Sequence, residues 1–262
     1  MFEFLFDLPL IIIGPVIIAA LWMFTLVGLL AVRRYVLPRV RIHQVDSELT
    51  ATVVQSIMVF YGLAVALIAV GVFETHSDVA KIVSNEATAL ATLYRDVTGY
   101  PEPARPQLQN ELREYVRYVI HEAWPLQVQG KVPDGGVERI ARFQAVLLSF
   151  EPATEGQKLL HGETLRVFNQ MMQARRLRLD SVSTGLPGVM WTVVIAGAFL
   201  SLSSTFFFKV EHTPLEGVQV LLLATFIGLV IFMIFALDRP FRGDLGLGSE
   251  PYQLVYDQLM KQ

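Results

Sequence analysis

The sequence predicts an all-α membrane protein in which four transmembrane helices form two pairs with a soluble helical bundle inserted between them. Of its 262 residues, 53% are hydrophobic, and the mean hydropathy is +0.47. That composition is more apolar than the core of one soluble domain requires. The stretches without any charged side chain are 8–32, 50–73, 181–208 and 217–237. Each approaches or exceeds the roughly 20 residues that a helix needs to cross the hydrocarbon core.

The first span is expected to remain in the mature protein instead of acting as a cleaved signal sequence. Glu3 and Asp7 precede it where a signal sequence carries Lys or Arg. Arg33 and Arg34 follow it in place of a cleavage site with small residues.

The second span is expected to continue as a helix beyond Phe73. Apolar residues recur at helical spacing from Val79 to Val97, directly after the uncharged stretch ends. Thr98, Gly99 and Pro101 then predict the end of this helix. One long helix would therefore link the bilayer to the soluble domain.

The soluble domain is expected to be a bundle of helices. An apolar stripe from Leu108 to Ala123 predicts the clearest helix, which Pro125 should close. Another helix follows Gly136, and Thr154 is a predicted N-cap for the helix that leads to the third span. The predicted divisions are a first transmembrane pair at 1–74, a soluble domain at 75–180, a second pair at 181–238 and a C-terminal tail at 239–262.

Composition argues against several classes of function. The absence of cysteine excludes disulfides, thiolate metal sites and cysteine catalysis. With a net charge of −3 and nearly balanced charges in the soluble domain, nucleic acid is not an expected partner. His121-Glu122 lacks the second histidine of a zinc-protease helix, and no glycine-rich phosphate loop is present. We expect no enzyme, catalytic residue, metal or cofactor, and charge-free spans disfavour a proton-driven transporter.

Polar and aromatic residues on and just beyond the second span are candidates for lining an oligomeric pore. The candidates are Gln55, Ser56, Tyr61, Phe73, Glu74 and Asp78. Copies of Phe73 around an axis would form an apolar constriction, and copies of Glu74 and Asp78 a charged ring. The alternative is that hydroxyl groups bond to their own helix and that the charged residues are ordinary solvated groups at the edge of the bilayer.

A second group of polar residues lies further along the same helix and after the fourth span. Asn85 and Glu86 interrupt an apolar region, so a buried Glu86 would need a cation, either Arg95 or an arginine elsewhere in the bundle. After the fourth span, Arg239 and Arg242 would anchor the helix end at lipid headgroups or attract anions at a pore mouth.

These residues carry a family resemblance. The segments Asn85-Glu86-Ala87 and Tyr94-Arg95-Asp96, with the tail Leu237-Asp238-Arg239-Pro240-Phe241-Arg242-Gly243, resemble the bacterial bestrophin-like domain family. The similarity extends over almost the entire chain. Bestrophins are pentameric ion channels whose second span lines a central pore, so the resemblance implies conduction, of an anion by analogy. It also implies a location in the bacterial cytoplasmic membrane.

This chain departs from true bestrophins in two places. It lacks their run of acidic residues after the last span, which clasps calcium, and the Asn-Pro repeats of their pore neck. Calcium gating and anion selectivity therefore do not carry over directly. The side of the membrane that holds the soluble domain stays open. Arginines between the first two spans place the domain outside by the positive-inside rule, but other arginines flank the domain itself and the analogy places it in the cytoplasm.

Two functions are compatible with the sequence. The first is a homo-oligomeric ion channel of the bestrophin-like type in a lipid bilayer, with the second span and its extension around the axis. The second is a non-conducting scaffold or sensor, in which the helical bundle binds a partner or ligand.

Overall fold

The computed structural model describes residues 8–36, 39, 47–206 and 213–261, and every regular element within them is helical. This confirms the predicted all-helical class; Glu3 and Asp7 lie outside the described residues. The α-helices of the described residues are α1 (Leu10–Ala31), α2 (Ser47–Val97), α3 (Ala104–Tyr118), α4 (Trp124–Val128), α5 (Gly136–Ser149), α6 (Glu155–Ser181), α7 (Gly188–Thr205), α8 (Thr213–Leu237) and α9 (Glu250–Val255). π-helical turns occupy Val32–Val36, Val119–Ala123 and Tyr256–Met260.

Among the residues that the structure describes, four helices are long and apolar enough to cross a membrane, as predicted. They comprise Leu10–Val36, part of Ala51–Val97, Gly188–Thr205 and Gly217–Leu237. The third begins later than the predicted residue 181, because α6 ends at Ser181 and Pro187 caps the start of α7. Its 18 residues still extend about 27 Å at the rise of an α-helix.

The chain divides into two compact units, and α2 contributes to both. The first contains Met1–Glu74 and Gly185–Asp238, and the second contains Thr75–Thr184 and Arg239–Gln262. As the apolar spacing predicted, α2 is one continuous helix of 51 residues that ends at Val97.

The core of the first unit is built from all four apolar helices. Buried residues include Leu21 of α1, Val72 of α2, Leu202 of α7 and Ile231 of α8. Two of these helices approach each other closely where one of them carries a glycine. A Cβ atom added to Gly197 would lie 2.5 Å from the Tyr61 ring, so the absence of a side chain allows the ring to pack there.

The core of the second unit combines α2, α3, α5 and α6 with the C-terminal residues. Phe241, Tyr252 and Met260, which belong to the predicted tail, are buried in this core. The helix α9 has only six residues, too few to show a clear apolar period in the sequence. The C-terminal residues are therefore a part of the helical unit.

Two local predictions about helix ends had different outcomes. The N-cap at Thr154 is confirmed, since its side chain accepts a hydrogen bond from the Gln157 backbone and the Gln157 side chain bonds back to Thr154. The predicted stop at Pro125 is wrong, because the chain continues as helix α4 through Val128. Pro125 directly follows the π-helical turn Val119–Ala123, in which the Trp124 N–H bonds to the Val119 carbonyl, and this wider hydrogen-bond spacing accommodates a residue without a backbone N–H.

Candidate functional site

A buried ion pair between α2 and α6 lies at the centre of the second unit. Glu86 of α2 is 0% exposed and Arg178 of α6 is 1% exposed. Arg178 Nε donates to Glu86 Oε2 at 2.7 Å, and Nη2 donates to Oε1 at 3.1 Å. The predicted need of Glu86 for a cation is therefore met by an arginine elsewhere in the bundle, and Arg95 is not that partner.

Neutral polar groups complete the coordination of this pair. The Tyr115 hydroxyl of α3 donates to Glu86 Oε1 at 2.8 Å. Arg178 Nη1 donates to the side-chain oxygen of Gln127, in α4, at 2.7 Å. The guanidinium also lies 5.7 Å from the ring centroid of Tyr252 in α9. The buried pair thus joins α2 and α6 to three further elements of the second unit.

The electrostatics of the cluster favour a charged pair beside neutral phenols. Burial, followed by the negative charge of Glu86, raises the pKa of both Tyr115 and Tyr252. Burial alone would lower the pKa of Arg178, but the negative charge of Glu86 raises it well above its usual value. Because its charged atoms are enclosed, the cluster is suited to holding α2 in a fixed position against α6.

Sequence patterns did not predict four members of this cluster, namely Tyr115, Gln127, Arg178 and Tyr252. One available signal was spacing, because Arg178 continues the buried stripe of Val167, Met171 and Ala174 at intervals of three and four residues. A charged residue on a buried helical stripe requires a partner of opposite charge.

The face of α2 that points away from the core carries most of the predicted pore candidates. Gln55, Ser56, Phe73 and Glu74 are all exposed, Phe73 to 61% of its surface. Ser56 Oγ donates to the Thr52 carbonyl at 2.8 Å, which is the local bond that the alternative interpretation predicted.

Two of the candidates have partners within their own unit. Tyr61 is half-buried, and its hydroxyl donates to the Val194 carbonyl at 3.1 Å, so it does not belong to the exposed face. Asp78 is exposed and pairs with Lys81 at 2.8 Å.

In the second unit, the exposed face of α2 forms a ridge with a groove on each side. The first groove, of about 500 Å³, lies between α2 and α6 and is called the α6 groove. The second, of about 250 Å³, lies between α2 and α9 and is called the α9 groove. Thr88 borders both grooves, and Asn85 lies in the α6 groove.

The three side chains of the predicted motif Tyr94-Arg95-Asp96 lie in three different environments. Tyr94 is buried, and its hydroxyl accepts a hydrogen bond from Arg113 at 2.7 Å. Arg95 is exposed, lines the α9 groove and has no ion-pair partner among the described residues. Asp96 is on the side of α6, where Glu163 and Arg166 interact with it electrostatically.

In the motif after the fourth span, the charged side chains of Asp238 and Arg239 form hydrogen bonds within the chain. The Asp238 carboxylate is buried and accepts hydrogen bonds from the Leu186 backbone N–H and, at 3.3 Å, from Trp191 Nε1. In the second unit, Arg239 Nη1 donates to the Ser183 carbonyl at 3.0 Å. Arg242 is half-buried and lies beside Gly130. Hydrogen bonding within the chain is thus part of the role of Asp238 and Arg239.

The fold and the apolar helices define an all-helical integral membrane protein. The model of the bestrophin-like domain matches residues 19–252, and the chain belongs to that family. No curated protein and no solved structure gives a match. Within the described residues, no group of three or more His, Asp or Glu side chains has a geometry that would hold a metal ion.

Proposed function

We propose that this protein is an ion channel formed by several copies of the chain, with α2 of each copy around a common axis. The observation that carries the proposal is the exposed face of α2, which is apolar at Leu63, Leu67 and Val70 and becomes charged at Glu74. A single copy leaves this face uncovered, so it is available to line a path between copies.

The chemistry along this face suits conduction and gating. The Phe73 side chains of a ring would form a narrow apolar section, which can stop ions by losing its water. The Glu74 carboxylates would follow immediately and would attract cations, whereas the family analogy favours anions. Because Glu74 has no ion-pair partner among the described residues, its charge is free to act on an ion.

The proposal includes an arrangement in the membrane. The helices α1 and α2 form one transmembrane pair and α7 and α8 the other, with residues 75–180 as an inserted bundle. The division into two compact units supports this arrangement, since all four apolar segments contribute to the first unit. By analogy with bestrophins, the assembly contains five copies in the bacterial cytoplasmic membrane.

The first experiment combines a subunit count with electrical recording. Protein in nanodiscs is imaged as single particles, and the same preparation is fused with planar bilayers under ion gradients. A closed ring that conducts supports the proposal, and the reversal potential identifies the permeant ion. A monomer, or a dimer without an axial path, contradicts the proposal and favours the scaffold or sensor alternative.

Matched substitutions test the role of the exposed face. Phe73→Ala should raise open probability or conductance because it widens the apolar section, whereas Phe226→Ala, at an equally exposed phenylalanine of α8, should not. Glu74→Gln should shift the reversal potential toward greater anion permeability, and the exposed Glu151→Gln should leave it unchanged. Equal effects of each substitution and its control would contradict this assignment of the pore.

A further inference from the structure

We infer that the first unit holds one acyl chain of a bilayer phospholipid in an apolar groove between α2 and α8, called the α8 groove. The groove has a volume of about 440 Å³ and lies between two of the helices that are apolar enough to cross a membrane. Its walls combine small residues of α2 with larger residues of α8, namely Gly62, Ala66, Ala69, Leu223, Phe226 and Val230. The inference concerns a ligand of the single chain, so it does not depend on the proposed ring.

The groove exists because α2 and α8 pack on different neighbours. The Tyr61 ring of α2 lies against Gly197 of α7, where an added Cβ atom would be 2.5 Å from the ring. The helix α8 instead packs on α1, where a Cβ atom added to Gly228 would lie 3.0 Å from Ile18. On the groove side of α2, a Cβ atom added to Gly62 would have no neighbour within 4 Å. Space therefore remains between α2 and α8.

The lining of the α8 groove suits a hydrocarbon chain. Apart from Tyr61, every lining residue is apolar, and Phe226 is 66% exposed. The Tyr61 hydroxyl already donates to the Val194 carbonyl at 3.1 Å. The core of a bilayer has no water to fill such a groove, and an empty groove would forfeit dispersion contacts with its walls. Lipid acyl chains are the material that the bilayer supplies.

The dimensions of the groove distinguish a single acyl chain from a helix of a second copy. The lining extends from Met58 to Ala69 on α2 and from Leu223 to Met233 on α8, about 16 Å at the rise of an α-helix. That length is close to one leaflet, about half of the roughly 30 Å hydrocarbon core. Dividing the volume of about 440 Å³ by this length leaves a mean cross-section of about 27 Å², a third of the roughly 80 Å² of a helix 10 Å in diameter. One unbranched chain fits this section, whereas a second helix does not.

The α8 groove is separate from the face of α2 that would line the channel axis. Leu63, Leu67 and Val70 of that face each follow a groove residue by one position, which is a rotation of about 100° around the helix. An acyl chain in the groove would therefore lie beside α2 without entering the path for ions. It would fill the space between α2 and α8 and hold the two helices in place.

A photolabelling titration tests the site. Full-length protein in maltoside detergent is titrated with a phosphatidylcholine that carries a diazirine in one palmitoyl chain, and the labelled residues are mapped by mass spectrometry. Labelling of the groove walls should saturate near one lipid per chain and should be displaced by unlabelled phosphatidylcholine. Labelling of Leu200, an exposed residue of α7 outside the groove, should rise without saturation. Labelling that saturates on neither surface overturns the inference.

Filling the groove provides matched variants. Gly62→Phe places a ring in the open space of the groove, and Gly71→Phe places the same ring in open space on α2 outside the groove. Gly62→Phe should lower the saturable labelling of Leu223 and Met233 about tenfold, the loss expected when roughly two methylene groups of the acyl chain lose their contacts. Gly71→Phe should leave this labelling unchanged, and an equal loss in both variants overturns the inference. Ala66→Leu fills less of the groove and should cause a smaller loss, so the test stays decisive where circular dichroism shows that Gly62→Phe has not folded.

The outcomes separate this inference from the proposed channel. A ring in which a helix of the neighbouring copy occupies the α8 groove, without saturable labelling, overturns the acyl-chain site and leaves the channel standing. Saturable labelling of a protein that neither forms a ring nor conducts overturns the channel and leaves the acyl-chain site standing.

Discussion

Removing the charge of Glu86 should destabilise the helical unit far more than removing an exposed charge. Glu86→Gln keeps the shape of the side chain but leaves Arg178, 1% exposed, without its counter-charge. The amide N–H₂ would also face a donor, because both carboxylate oxygens accept from Arg178 at 2.7 and 3.1 Å. Breaking one side of a buried ion pair costs about 3–5 kcal/mol in the free energy of unfolding.

The measurement is thermal unfolding of the purified protein in one detergent, followed by circular dichroism. A loss of this size should lower the unfolding midpoint by on the order of 10 °C. Adding Arg178→Met should recover part of the loss, because the unpaired charge is then removed. The control is Asp78→Asn, which breaks an exposed pair with Lys81 and should change stability by less than about 1 kcal/mol. The reasoning is refuted if Glu86→Gln and Asp78→Asn lower the midpoint equally.

Two further predictions concern helix packing and pH. Gly197→Ala should lower the free energy of unfolding by about 1–3 kcal/mol, since its Cβ would overlap the Tyr61 ring. Gly62→Ala places its Cβ in open space and should be neutral or stabilising. Unfolding midpoints that fall equally in both variants would contradict this prediction. Burial lowers the pKa of His161, whose Nδ1 lies 2.9 Å from the Tyr100 hydroxyl, so the unfolded chain binds a proton first as the pH falls below about 6.5. The stability that is present above that pH should therefore decline below it. His161→Gln should flatten this decline in unfolding midpoints measured from pH 7.5 to 5. If the midpoints of the wild type and the variant fall in parallel, His161 has no such role.

Sequence patterns alone predicted features that depend on neighbouring residues along one helix. The uncharged stretches predicted the four apolar helices because the backbone must satisfy its own hydrogen bonds in lipid. The apolar spacing beyond Phe73 predicted the continuous α2, and Thr154 predicted the start of α6. The sequence also indicated that Glu86 needs a cation, because burying an isolated charge is costly.

Only the tertiary structure decided which residues meet. Glu86 and Arg178 are 92 positions apart, and several arginines were possible partners until the packing of α2 on α6 was known. The same holds for Tyr252, which reaches the cluster from a C-terminal helix of only six residues. The pore candidates were separated in the same way, since Phe73 is exposed while Tyr61 packs against Gly197. The helical period indicates on which face of a helix a residue lies, but the neighbouring helices determine what that face contacts.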